Sequence, residues 1–187
     1  MRYLEDALCA CPIVAAVKDE EGLRHCIDSE SQVVFVLYGD LNSIPQIVNR
    51  LKLAEKTVFV HADLIEGLSA REAAVDYLIQ NTSLDGIIST KLPLLRFAKA
   101  KGLMTIMRFF LIDSIAMENI KKMKDERCID LMEVLPGLMP KIIGQVCKNS
   151  GKKIIAGGLI TEKSDVVSAL DAGAIAVSST NSAVWNL

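Results

Sequence analysis

The chain has 187 residues, of which 51% are hydrophobic and 24% charged. That is enough apolar material for one sizeable core and too little length for two comfortable ones, so a single domain over 1–187 is expected. The 21 basic and 23 acidic side chains leave a net charge of −2, which excludes a generally basic nucleic-acid binder and leaves only local patches for such a role.

The first residues carry Glu5 and Asp6 and show no basic start followed by a long apolar stretch, so no secretory signal is read there. No apolar run approaches the ~20 residues of a bilayer crossing. A cytoplasmic protein without a membrane partner is expected. Cys9, Cys11, Cys26, Cys128 and Cys147 are odd in number and form no Cys-x-x-Cys pair; they read as reduced, mostly buried thiols rather than zinc ligands.

Eight apolar, β-branched-rich runs follow: Ile13–Val17, Val33–Leu37, Val58–Val60, Gly86–Ile88, Leu103–Met107, Ile129–Val134, Lys153–Ala156 and Ala174–Val177. Runs of this kind are buried parallel strands. Segments with helical spacing separate them, such as Leu41, Ile44, Val48, Leu51 and Met117, Ile120, Met123. Ser69 and Glu72 have the spacing of a capping box at the head of a helix that buries Ala73, Ala74, Tyr77 and Leu78. Gly102, Gly151 and Gly173 each end a helical segment before a strand, where a left-handed residue closes the helix.

Strict alternation with eight strands predicts an α/β fold, a compact (β/α)8 TIM-barrel-like domain. Little sequence follows the last strand, so the last helix is expected to be short or missing. The uncovered wall beside the first strand would then need Leu4, Ala7 and Leu8, or a second subunit in a homodimer.

In such a barrel the residues just past each strand gather at one mouth. They are Lys18, Asp40, His61 with Asp63 and Glu66, Lys91, Arg108, Glu133, Gly157-Gly158 and Ser178-Ser179. Gly157-Gly158 and Ser178-Ser179 follow strands seven and eight, where barrels commonly seat phosphate: glycine permits close backbone approach, the next helix start offers N–H groups, and serine adds donors. Lys18, Lys91 and Arg108 can add positive charge. His61, Asp63 and Glu66 can hold a divalent cation or ligand hydroxyls, and Asp40 belongs to the same polar ring. Glu133 can accept from a hydroxylated ligand or pair with a cation across the mouth. No spacing selects an acid–base pair for catalysis.

The blocks Phe59–Leu68 (FVHADLIEGL), Asp85–Lys91 (DGIISTK), Arg108–Ser114 (RFFLIDS), Glu133–Gly137 (EVLPG) and Ile155–Ile160 (IAGGLI) together resemble the glycerol uptake operon antiterminator family, over nearly the whole chain from Pro12–Lys18 to Trp185. The resemblance implies a glycerol-3-phosphate-responsive, non-enzymatic regulator that binds leader mRNA and prevents premature termination of glycerol operons, with no cofactor beyond the effector. The phosphate would lie on Gly157-Gly158 and Ser178-Ser179.

The alternative is a barrel enzyme acting on a small phosphorylated substrate. The Gly-Gly-Leu block and Val177-Ser178-Ser179 also look like those of phosphoribosylanthranilate isomerase. That family's catalytic cysteine lies on the first strand, whereas Cys11 precedes Pro12 and the strand. A glycerophosphodiesterase would need paired histidines, and His25 lies in a helical segment away from His61. For RNA, the candidates are Lys121, Lys122, Lys124 and Arg127 in one helix and Lys148, Lys152 and Lys153 around the end of another. Effector and RNA would prefer the same state, each strengthening the other.

Overall fold

Each of the eight apolar runs is a strand because its apolar residues fall on both faces, which the barrel interior on one side and the outer helices on the other cover with protein. The computed structural model describes residues 2–187, apart from the Arg2 side chain. In it β1 (Ile13–Val17), β2 (Val33–Val36), β3 (Thr57–His61), β4 (Gly86–Ser89), β5 (Met104–Phe110), β6 (Leu131–Leu135), β7 (Lys153–Gly157) and β8 (Ala176–Ser179) close a parallel barrel in sequence order, with β8 paired to β1. Helices α1 (Arg2–Ala10), α2 (Glu20–Ile27), α3 (Ile44–Leu53), α4 (Glu72–Asn81), α5 (Leu92–Ala100), α6 (Ser114–Lys122), α7 (Pro140–Ser150) and α8 (Lys163–Asp171) complete the chain.

Alternation along the strands splits the core in two. Val14, Ala16, Phe35, Phe59, Ile88, Ile106, Leu131, Ile155 and Ala176 fill the barrel. Ala15, Val34, Val60, Ile87, Met132 and Ala156 face the helices. Phe35 and Phe59 sit opposite one another in the β2–β3 register and pack edge to face, their centroids 5.9 Å apart. Gly86 is required beside them, since a Cβ there would lie 2.5 Å from the Phe59 ring.

Three expectations need correction. The wall beside β1 is closed from within the chain. After β8 there is only a 3-10 turn, Ser182–Val184, which confirms the missing last helix, and the following Trp185, 1% exposed, seals the gap. Leu4, Ala7 and Leu8 do something else: they join the barrel-interior cluster, so α1 plugs the end of the barrel where the strands begin. The uncovered surface that argued for a dimer is therefore not there.

The Ser69–Glu72 capping box does not form. Gly67 takes a positive φ of 85° and Glu66 bridges to Asp40, which holds the chain away from the helix axis until Arg71. Helix α4 starts at Glu72 with no side-chain cap and buries Ala74, Val75 and Leu78, leaving Ala73 exposed. Of the five free thiols only Cys26 and Cys128 are buried.

Gly102, Gly151 and Gly173 do take positive φ at the expected helix ends.

Candidate functional site

Side chains two residues apart on a strand share a face. Counting up from the interior residues Phe59, Ile106, Leu131, Ile155 and Ala176, the next inward positions are His61, Arg108, Glu133, Gly157 and Ser178. These residues lie in the strands, not past them, because β5 runs on to Phe110, β6 to Leu135 and β8 to Ser179. They form the uppermost layer of the barrel interior.

Arg108 and Glu133 are direct partners in the β5–β6 register, and Gly157 and Ser178 in the β7–β8 register. Arg108 Nε donates to Glu133 Oε2 at 2.5 Å, and Ser178 Oγ donates to Glu133 Oε1 at 2.5 Å. Their burial is nearly complete, 7% of the Arg108 side chain and 1% of the Glu133 side chain being exposed. A buried ion pair survives only when further hydrogen bonds satisfy it, as Ser178 does here. Gly157 makes this crossing possible: a Cβ at that position would stand 2.4 Å from Ser178 Oγ and 2.7 Å from Glu133 Oε1.

Above this layer is a cavity of about 260 Å³ lined by Ala16, Leu37, Arg108, Glu133, Leu135, the 158–161 turn and the 178–181 segment. Gly158 and Leu159 have φ of 77° and 63°, so the chain coils tightly at the rim. The N–H groups of Gly158, Leu159, Ile160 and Thr180 meet no protein acceptor among the described residues. Neither do the terminal nitrogens of Arg108, whose Nε alone is bonded. The cavity is thus lined by residues that carry unpartnered donors and by one carboxylate, itself already bonded twice.

The serines contribute by holding the frame. Ser178 is bound to Glu133, while Ser179 Oγ donates to Ile160 O at 2.7 Å and accepts from Asn181 N at 3.0 Å. Gly158 O accepts from Gly137 N at 3.1 Å, fastening the turn to the β6–α7 connection. The start of α8 is engaged by its own Asp165, whose carboxylate accepts from the N–H groups of Thr161 and Glu162 and is held below the usual carboxylate range by them. Sequence reasoning missed Leu159, Ile160 and Thr180 because they act through main-chain N–H groups, and only the neighbouring glycine hinted at them.

The remaining expected residues lie elsewhere. Asp63 accepts from Ser89 Oγ, Thr90 N and Thr90 Oγ1 at 2.9, 2.7 and 2.8 Å, tying the ends of β3 and β4 together. Asp40 caps its own turn, accepting from the N–H groups of Asn42 and Ser43. Glu66, Lys18 and Lys91 are exposed, and none lines the cavity. Among the described residues no three His, Cys, Asp or Glu side chains converge as metal ligands, and His61, Asp63 and Glu66 do not form such a group.

His61 is 2% exposed and its Nδ1 has no partner. Burial, and next the Arg108 guanidinium, lower its pKa to about 4, against the opposing pull of Asp63. Since the folded value lies below the ordinary ~6.5, the unfolded chain binds the proton first. Stability from this group is intact above ~6.5 and is expected to fall by about 3 kcal/mol as pH drops to ~4. Asp63 loses its contribution only further down: burial works to raise its pKa, but the Thr90 and Ser89 donors and His61 hold it below the usual value. Urea titrations of wild type and His61→Asn between pH 7 and 4 check this; equal slopes for both would refute it.

The description "Glycerol-3-phosphate responsive antiterminator" belongs to the family model that matches residues 13–185. The Escherichia coli K12 protein YgcP is 44% identical over 176 residues, covering 94% of this chain and 92% of its own. The crystal structure of the glycerol uptake operon antiterminator regulatory protein from Listeria monocytogenes superposes with a TM-score of 0.88 at 28% identity, covering 94% of this chain and 95% of that one. A glycerol uptake operon antiterminator-related protein from Thermotoga maritima gives 0.80 at 30% identity over 92% and 96%. Likenesses to barrel enzymes at 17% identity or less show the fold alone. With the match spanning every strand from β1 to the sealing Trp185, the chain belongs to the glycerol-3-phosphate responsive antiterminator family.

Proposed function

We propose that the cavity senses glycerol 3-phosphate and that the liganded protein binds the leader of glycerol-gene messenger RNA in the cytoplasm, preventing premature termination. The observation that carries this reading is that one small cavity is lined by Arg108 and by Gly158, Leu159, Ile160 and Thr180, whose N–H groups have no protein acceptor among the described residues. Such donors suit a phosphate dianion, with Arg108 supplying charge from a fixed position. A volume of about 260 Å³ fits a small phosphomonoester better than a nucleotide. The ligand hydroxyls would lie towards Glu133.

Absence of turnover is part of the proposal. Glu133 is the one carboxylate lining the cavity, and a base bonded to both Arg108 and Ser178 is poorly placed to take a substrate proton. Calorimetry with glycerol 3-phosphate and transcription through a terminator-bearing glycerol leader test it together. Binding without consumption of the ligand, and read-through that rises with protein and effector, are expected. Conversion of glycerol 3-phosphate to product would favour the enzyme reading, and no binding would refute the sensor.

A further inference from the structure

Many of the chain's cations are held by its own carboxylates, among them Lys52 by Asp85, Arg96 by Glu126, Lys99 by Asp130, Lys101 by Asp76 and Lys153 by Glu5. Three of the cations singled out in the sequence belong to this internal wiring. Lys121 pairs with Glu118, Lys153 with Glu5, and Lys152 Nζ donates to the carbonyls of Glu126 and Ile129 at 2.7 and 3.1 Å. Lys122, Lys124, Arg127 and Lys148 are different: all four are exposed and none has a carboxylate partner among the described residues.

The fold gathers these four. Helix α6 ends at Lys122, so Lys124 and Arg127 lie on the connection that follows, and Lys148 is in the last turn of α7. The Lys124 stem lies against Gly151, at the close of α7. Lys152 then reaches back to the carbonyls of the 126–129 segment and holds that connection to the start of β7. Of the acids nearest in sequence, Glu118 is paired with Lys121, Glu126 with Arg96 and Asp130 with Lys99; Asp125 is exposed and outside these pairs, so the four cations keep a net positive charge. A cation in the last turn complements the helix dipole, which accounts for Lys122 and Lys148, but Lys124 and Arg127 stand beyond the helix. Helices run opposite to the strands in this barrel, so the cluster lies at the end away from the cavity.

We propose that RNA binds this basal face, its phosphates contacted by Lys122, Lys124, Arg127 and Lys148 where α6 and α7 end. The assignment rests on the proposed RNA-binding role and locates it. The phosphate-sensing turn touches the other end of the same element: Gly158 O accepts from Gly137 N, and Gly137 leads within three residues into α7, whose 11 residues reach the basal end. At about 1.5 Å per residue, α7 spans about 16 Å between effector and RNA surfaces.

The test compares wild type with a variant carrying Lys122→Gln, Lys124→Gln, Arg127→Gln and Lys148→Gln. A second variant, Arg71→Gln, Lys141→Gln and Lys163→Gln, removes exposed cations from the opposite end. Binding of a labelled, terminator-bearing glycerol leader RNA is followed by anisotropy across a salt series with glycerol 3-phosphate present. Each lost phosphate contact on a single strand lowers the slope of log K against log salt by about 0.7. The basal variant is expected to lose about 3 in slope and to keep wild-type glycerol 3-phosphate binding by calorimetry, while the second variant keeps the wild-type slope. An unchanged slope in the basal variant overturns the surface but leaves the RNA role standing. A wild type that binds neither the leader nor a scrambled RNA of equal length overturns both.

Discussion

Replacing Glu133 by leucine is expected to destabilise the protein by about 3–5 kcal/mol, more than the ion pair it removes is worth by itself. The cost comes from Arg108, which stays buried in the top layer of the barrel with its countercharge gone. Ser178 Oγ loses its acceptor at the same time. Arg108→Met alone should cost a similar amount by leaving the carboxylate unpaired, whereas the double variant Glu133→Leu with Arg108→Met should recover most of the stability, since a matched apolar pair removes both charges. Chemical denaturation of the four proteins closes the cycle; additive single costs would show that the two residues do not act as a pair.

The same cycle separates structure from sensing. If Arg108 faces the effector phosphate, the stable double variant loses glycerol 3-phosphate binding by about 100-fold or more, the worth of a charge-assisted contact of roughly 3 kcal/mol. Glu133→Leu, by contrast, should be stabilised by saturating glycerol 3-phosphate more than wild type is, because the ligand supplies the missing negative charge. Thermal shift with and without ligand reads this directly, and equal shifts in both proteins would argue that the phosphate lies away from Arg108.

Trp185→Ala is the second large effect, about 3–5 kcal/mol and a Tm lower by roughly 10 °C for a chain of this size. Trp185 stands where an eighth outer helix would otherwise cover the barrel, against Gly22 of α2, and its Nε1 donates to Ser179 O at 2.8 Å. Truncation leaves a void at a seam that no helix covers. It also frees the Ser179 carbonyl beside Thr180, so effector affinity should fall along with stability. Trp185→Phe keeps most of the packing and loses about 1 kcal/mol with the hydrogen bond. Calorimetric melting of the three proteins decides; a Trp185→Ala variant as stable as wild type would mean that the seam closes by other contacts.

The barrel was legible in the sequence because burying a parallel sheet on both faces demands uniform apolar runs, and eight of them separated by helical spacing leave few architectures. The glycines at helix ends, the missing last helix and the presence of a cavity beside the ends of β7 and β8 were legible for the same local reasons. The family, too, was carried by ordered blocks of residues.

Which polar residues face one another was not legible. His61, Arg108, Glu133 and Ser178 come from strands separated by up to 117 positions, and only barrel closure and strand register set them in one layer. Gly157 looked like an anion cradle, while its contacts show a position kept free of a side chain so that Glu133 and Ser178 can meet. Asp40 and Asp63 read as ligand chemistry, yet each satisfies donors in its own neighbourhood. Local spacing fixes how a segment folds and which face it buries. Hydrogen bonds and ion pairs between segments depend on distances of a few ångströms that only the closed tertiary structure sets, and those distances decide which charges hold the barrel together and which remain for ligands.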